Sequence, residues 1–140
     1  MTGGGRPDDP AVVYRVDPPV DPEELNRLFA AGWSEHESRN WGPVLARSLA
    51  FVCAYREGRL VGFVNVAWDG GVHGFILDTM VHPEMRRCGI GRQLVLRAAS
   101  AARERNLEWL HVDFEPQLRS FYAGSGFSAT EAGLMYLRAR

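Results

Sequence analysis

Hydrophobic positions along this 140-residue chain change spacing in a way that separates strands from helices. Val12 to Val16 alternates over a short stretch and stops at Asp17-Pro18-Pro19, which predicts a first strand. Asp21 then offers a capping carboxylate, Pro22 a preset first helical residue and Glu24 an acid in the first turn. Leu25, Leu28 and Phe29 follow at helical spacing, and Gly32 ends the helix. A polar, aromatic-rich stretch from Trp33 to Gly42 precedes a short helix from Pro43 to about Ser48. Phe51–Arg56 and Leu60–Trp68 read as the arms of a hairpin turning at Glu57-Gly58. Asp69-Gly70-Gly71 turns into a further strand, Phe75–Val81, and a long Ala-rich helix runs from about Arg92 to Arg105. Leu107–Phe114 predicts a fifth strand, Pro116 to Gly124 a helix, and Leu134–Leu137 a last strand. A strand meander followed by strand–helix–strand–helix–strand implies a mixed α/β fold with helices on both faces of one sheet.

The junction between the fourth strand and the long helix carries the most chemistry. It reads Val81-His82-Pro83-Glu84-Met85-Arg86-Arg87-Cys88-Gly89-Ile90-Gly91-Arg92. A helix N-terminus presents unpaired N–H groups and the positive end of a dipole, so it attracts anions. Gly89 and Gly91 remove side chains that would hold a phosphate away, and Arg86, Arg87 and Arg92 add positive charge. The spacing is neither a Walker loop nor a dinucleotide fingerprint, since the lysine of one and the third glycine of the other are absent. Taken alone, Gly-x-Gly also fits a tight turn with solvated arginines.

The whole run resembles the acyl-CoA-binding motif of the GNAT superfamily of N-acetyltransferases, Arg/Gln-x-x-Gly-x-Gly/Ala opening a helix, here from Arg86 to Gly91. Phe121-Tyr122-Ala123-Gly124-Ser125-Gly126-Phe127 resembles that family's second element, Phe-Tyr-x-x-x-Gly-Phe. The resemblance implies a mixed, largely antiparallel sheet of six to seven strands with about four helices, splayed between strands four and five. It implies acetyl-CoA as co-substrate, its pyrophosphate on the backbone of Arg86 to Arg92, with Cys88 and Ile90 inside that turn. The backbone of Met80 and Val81 would pair with the pantetheine arm. Tyr122 matches the tyrosine that protonates the leaving thiolate in many members. Where many members carry an asparagine seven residues before that tyrosine, this chain has Glu115.

Acetyl transfer to an amine also needs a base. Asp78 lies three residues before Val81, and Asp113 nine before Tyr122 on the neighbouring strand. Carboxylates on adjacent strands can orient an ammonium and accept its proton, although strand alternation turns at least one away. Asp78 is favoured narrowly; His73 and His111 rank lower as strand histidines. Trp33, His36, Trp41 and Glu115 are candidate substrate contacts, because aromatics and acids together suit a cation. The same tryptophans equally fit a surface loop packed on the core.

Composition narrows these readings. A net charge of −1 gives no field for nucleic acid or an anionic membrane, although all 16 basic residues are arginine. Two cysteines, Cys53 and Cys88, argue against a disulfide framework and point to the cytoplasm. No His/Cys/Asp cluster has metal-ligand spacing. Residues 1–10, rich in Gly, Pro and Asp, read as a flexible tail before one domain spanning 11–140. The expected activity is acetylation of a small primary amine in a ternary complex, with a homodimer possible. Acetylation of a protein amine, or acyl-CoA binding without catalysis, are the alternatives.

Overall fold

The computed structural model describes residues 11–138, so the tail at 1–10 lies outside the described residues. Five strands, β1 (Val12–Val16), β2 (Ala50–Arg56), β3 (Arg59–Trp68), β4 (His73–Val81) and β5 (Trp109–His111), form one sheet in sequence order. The first three pairings are antiparallel and β4–β5 is parallel. Helix α1 (Pro22–Gly32) starts where the sequence signals place it, with Asp21 accepting from the Glu23 amide at 2.9 Å. Helices α2 (Gly42–Arg47), α3 (Ile90–Glu104) and α4 (Arg119–Gly124) complete the set, a 3-10 turn at Pro116–Leu118 leading into α4.

Strand alternation divides the sheet into two cores. Val52, Ala54, Val64, Val66 and Ile76 face α3, where Ile90, Leu94 and Ala98 cover them. Cys53, Leu60 and Phe63 face the other way, under Leu25, Leu28 and Phe29 of α1 and the ring of Trp41. Burial pushes the Cys53 thiol up to about 12, so it stays a neutral core atom. Trp41 is wholly buried, within 5.0 Å of Phe29 and 5.8 Å of Phe63 between ring centroids. Trp41→Ala should therefore cost about 3–5 kcal/mol of stability, read as a lower urea midpoint with an unchanged slope.

Two sequence expectations are corrected among the described residues. Strand β5 has three residues where eight were expected, and the sheet has five strands where six or seven were expected. The first correction follows from β4. Asp78 adopts φ +55, and the β3–β4 register shifts there, so Asp78 and Thr79 together oppose Val64 in a bulge. A bulge bends its strand, and the β4–β5 ladder runs only from His73↔Trp109 to Phe75↔His111. Beyond it the strands separate, giving the expected splay. The second correction lies at the C-terminal end, where 126–138 form no ladder and Leu134 and Leu137 are each 86% exposed. Ser128 to Gly133 offers one β-branched residue and no hairpin turn, so Leu134–Leu137 has no neighbouring arm to pair with.

Candidate active site

The splay between β4 and β5 opens beside the N-terminus of α3. Gly89 caps that helix at φ +78, and Arg87, two residues earlier, is also left-handed at φ +66. Such alternation turns successive amides toward one concavity. Helical bonding begins at Gln93, whose amide donates to the Gly89 carbonyl at 3.1 Å, and no side chain caps the helix. The amides of Ile90, Gly91 and Arg92 are thus left for a ligand. A side chain at Gly89 would meet nothing within 4 Å, so the glycine faces open space. Gly91 serves packing instead: a Cβ there would lie 3.4 Å from Phe121 Cζ.

That contact ties the cradle to α4, and Phe121 is followed by Tyr122. The Tyr122 ring is buried, stacked on Phe114 at 4.9 Å and edge-on to Phe127 at 5.7 Å. Burial raises its phenol above the ordinary tyrosine range; Thr79 beside it favours ionisation, and the Asp113 charge opposes it. Thr79 Oγ1 is buried yet has no hydrogen-bond partner at bonding distance. It stands on the stretch of β4 that has lost its β5 neighbour, so a ligand lying in the gap would satisfy it. A groove of about 750 Å³ runs along β5 and is lined by Leu77, Asp113, Phe114 and Tyr122.

The predicted residues fall into separate groups. Tyr122 and Asp113 come together with Thr79, and Asp113 is solvent-exposed. Asp78 turns instead toward the α1–α2 loop, where its Oδ1 lies 3.6 Å from Arg39 Nη1. Met80 packs on the α1-side core and Val81 on the α3-side core. Arg87, Cys88 and Arg92 are exposed around the cradle, whereas the Ile90 side chain is buried, leaving only its backbone for a ligand. Arg86 departs from expectation: its guanidinium reaches back over α1, 3.4 Å from where a Gly32 Cβ would stand. Its charge therefore lies on the α1 side of the turn.

In the loop, Trp33 is 52% exposed and His36 bonds Asn26 at 2.9 Å. Trp41, expected as a substrate contact or a core residue, is core. Glu115 is exposed and accepts from Gln117. Three residues went unassigned in the sequence: Thr79, Arg39 and Asn26. Asn26 is the legible one, since asparagine disfavours helix interiors unless its side chain has work elsewhere. Among the described residues no three or more His, Cys, Asp or Glu are grouped to hold a metal ion, and no helix is long and apolar enough to cross a membrane.

Residues 19–127 match the model of the Acetyltransferase (GNAT) family. The chain is 30% identical over 109 residues to the uncharacterized N-acetyltransferase ycf52 of Porphyra purpurea, covering 74% of this chain and 63% of that protein. It is 26% identical over 119 residues to a ycf52-like uncharacterized N-acetyltransferase of Prochlorococcus marinus, covering 81% and 66%. This chain thus spans about two thirds of the length of these relatives. Its fold is similar to that of the aminoglycoside N-acetyltransferase AAC(6′)-Iy in complex with CoA, with a TM-score of 0.76, 18% identity and coverage of 95% and 98%.

Proposed function

The chain belongs to the Acetyltransferase (GNAT) family, and we propose that it transfers an acetyl group from acetyl-CoA to the primary amine of a small molecule by direct attack in a ternary complex. The observation that carries this reading is the continuity from the open, glycine-lined N-terminus of α3, through Phe121, to a buried tyrosine beside the buried hydroxyl of Thr79 on the unpaired stretch of β4. The residues present fit acetyl-CoA. The amides of Gly89 to Arg92 would hold the diphosphate, and the unpaired edge of β4 from Leu77 to Val81 would pair with the amides of the pantetheine arm. When bound, acetyl-CoA supplies the activated acyl group.

The chain's own residues divide the proton work. Asp78 accepts the proton that the acceptor ammonium loses, leaving a free amine to attack the thioester carbonyl carbon. As the carbon–sulfur bond breaks, the attacking nitrogen gives up its second proton to solvent, and Tyr122 donates its proton to the departing thiolate and is later reprotonated from solvent. The balance is acetylated amine, free CoA and one released proton. Asp113 has a separate task, because its charge opposes ionisation of the phenol and so keeps Tyr122 protonated. The small-molecule reading is supported by the fold shared with an aminoglycoside acetyltransferase.

Thiol release measured with acetyl-CoA and a panel of primary amines tests the proposal. Turnover with at least one amine is expected, and Asp78→Asn should lower kcat by about 10²-fold while calorimetric acetyl-CoA binding is retained. Binding without turnover on any amine would favour an acyl-CoA-binding module instead.

A further inference from the structure

Proton transfer to Asp78 leaves its ionic partner Arg39 without a task. Arg39 is held unusually firmly for an exposed loop residue. The Asn26 side chain clamps its backbone at both ends, accepting from the Arg39 amide at 3.0 Å and donating to the Arg39 carbonyl at 3.0 Å. The same Asn26 oxygen receives the Trp41 indole N–H at 3.1 Å and faces a His36 ring nitrogen at 2.9 Å. The Arg39 guanidinium then lies over the buried Trp41 ring, 4.3 Å from its centroid. That contact engages the cation's charge and not its N–H groups, which stay available as donors.

Opposite it, the left-handed bulge aims Asp78 out of the sheet. The 3.6 Å separation is an ionic contact longer than a hydrogen bond. Among the described residues neither the guanidinium nor the carboxylate makes a hydrogen bond, and both side chains are partly exposed, at 43% and 27%. Each ion keeps its hydrogen-bonding capacity, and the pair shows a fixed positive and a fixed negative group side by side. A simple cation approaching Asp78 must come close to Arg39 and is repelled by it. A molecule carrying an ammonium and an oxyanion a few bonds apart satisfies both.

We propose that Arg39 and Asp78 together select an acceptor whose primary amine stands two to four bonds from an oxyanion, as in an amino acid or an amino phosphate monoester. Asp78 receives the ammonium and then its proton, and Arg39 receives the oxyanion on its edge donors. This rests on the acetyl-transfer reading and on Asp78 as base. It makes Arg39 a specificity-determining residue, with Asn26 and Trp41 positioning it.

Thiol-release assays with two matched pairs of acceptors test it: glycine against glycinamide, and O-phosphoethanolamine against ethanolamine. For each pair the ratio of kcat/KM, anionic over neutral, is compared between the wild type and Arg39→Gln. Taking the change in ratio cancels the amines' own basicities. The ratio should fall at least tenfold in R39Q for one pair, which identifies carboxylate or phosphate as the preferred group. Arg39→Lys should keep part of it, because lysine retains charge and loses the fork. Ratios that stay within twofold of wild type for both pairs in R39Q overturn the inference while leaving acetyl transfer standing. Thiol release from other primary amines but from none of these four also overturns the inference, whereas acetyl-CoA binding with no thiol release from any amine of the wider panel overturns the small-amine reading itself.

Discussion

Replacing Tyr122 with phenylalanine should lower kcat by about 10²-fold and leave the KM for acetyl-CoA within about threefold of wild type, since general acid catalysis contributes roughly that much. The hydroxyl is the only group removed, and the ring contacts with Phe114, Phe121 and Phe127 are hydrocarbon contacts that phenylalanine repeats. The thermal midpoint should therefore move little, and a fall in kcat with unchanged stability separates a chemical role from a packing one. The pH profile sharpens the test. Burial raises the Tyr122 phenol, so the acid form persists above the ordinary tyrosine range and is lost only as pH rises beyond it. Wild-type kcat should show no alkaline fall from this group below about pH 10. An unchanged kcat in Tyr122→Phe would remove the tyrosine from the mechanism.

Tyr122 was singled out in the sequence by the resemblance of Phe121 to Phe127 to a family element, whereas the turn before α3 was also readable from local rules. Glycines at a strand–helix junction constrain backbone conformation within a few residues of themselves. Helix α1 was legible for the same reason, since Asp21, Pro22 and Gly32 mark its ends. The splay was not legible from residues alone. It arises where Asp78 takes a left-handed conformation that is commoner at glycine, and aspartate tolerates it without announcing it. The loop was illegible for another reason. Trp33 and Trp41 look alike in sequence, and only the hydrogen bond from Trp41 to Asn26, 15 residues away, decides which ring enters the core. The last strand did not form because an apolar run such as Leu134–Leu137 makes a strand only when a partner exists to pair with it.

A side chain at Gly89 is the sharper probe of the cofactor site, because the fold supplies its own control. Gly58, in the β2–β3 turn, has φ +77 and nothing within 4 Å of where a Cβ would stand, against φ +78 and equally open space at Gly89. Valine at either position incurs the same left-handed strain, of about 1–2 kcal/mol. Both variants should therefore lose similar stability. Their effect on acetyl-CoA should differ widely. At Gly89 the isopropyl group enters the space in front of the α3 amides, where a diphosphate would accept charge-assisted hydrogen bonds worth about 1.5–3 kcal/mol each. Losing one or two of them corresponds to a rise in the KM for acetyl-CoA of about 30-fold or more, at 1.4 kcal/mol per tenfold. Gly58→Val should leave that KM unchanged: its turn lies at the same end of the sheet, with Arg56 and Arg59 reaching Met85 and His82, but it carries none of the α3 amides and its Cβ would meet nothing within 4 Å. Steady-state kinetics and urea unfolding of the two variants decide the matter. Equal KM values in G89V and G58V would mean that the turn before α3 shapes the fold without holding the cofactor, however closely its glycines match the motif.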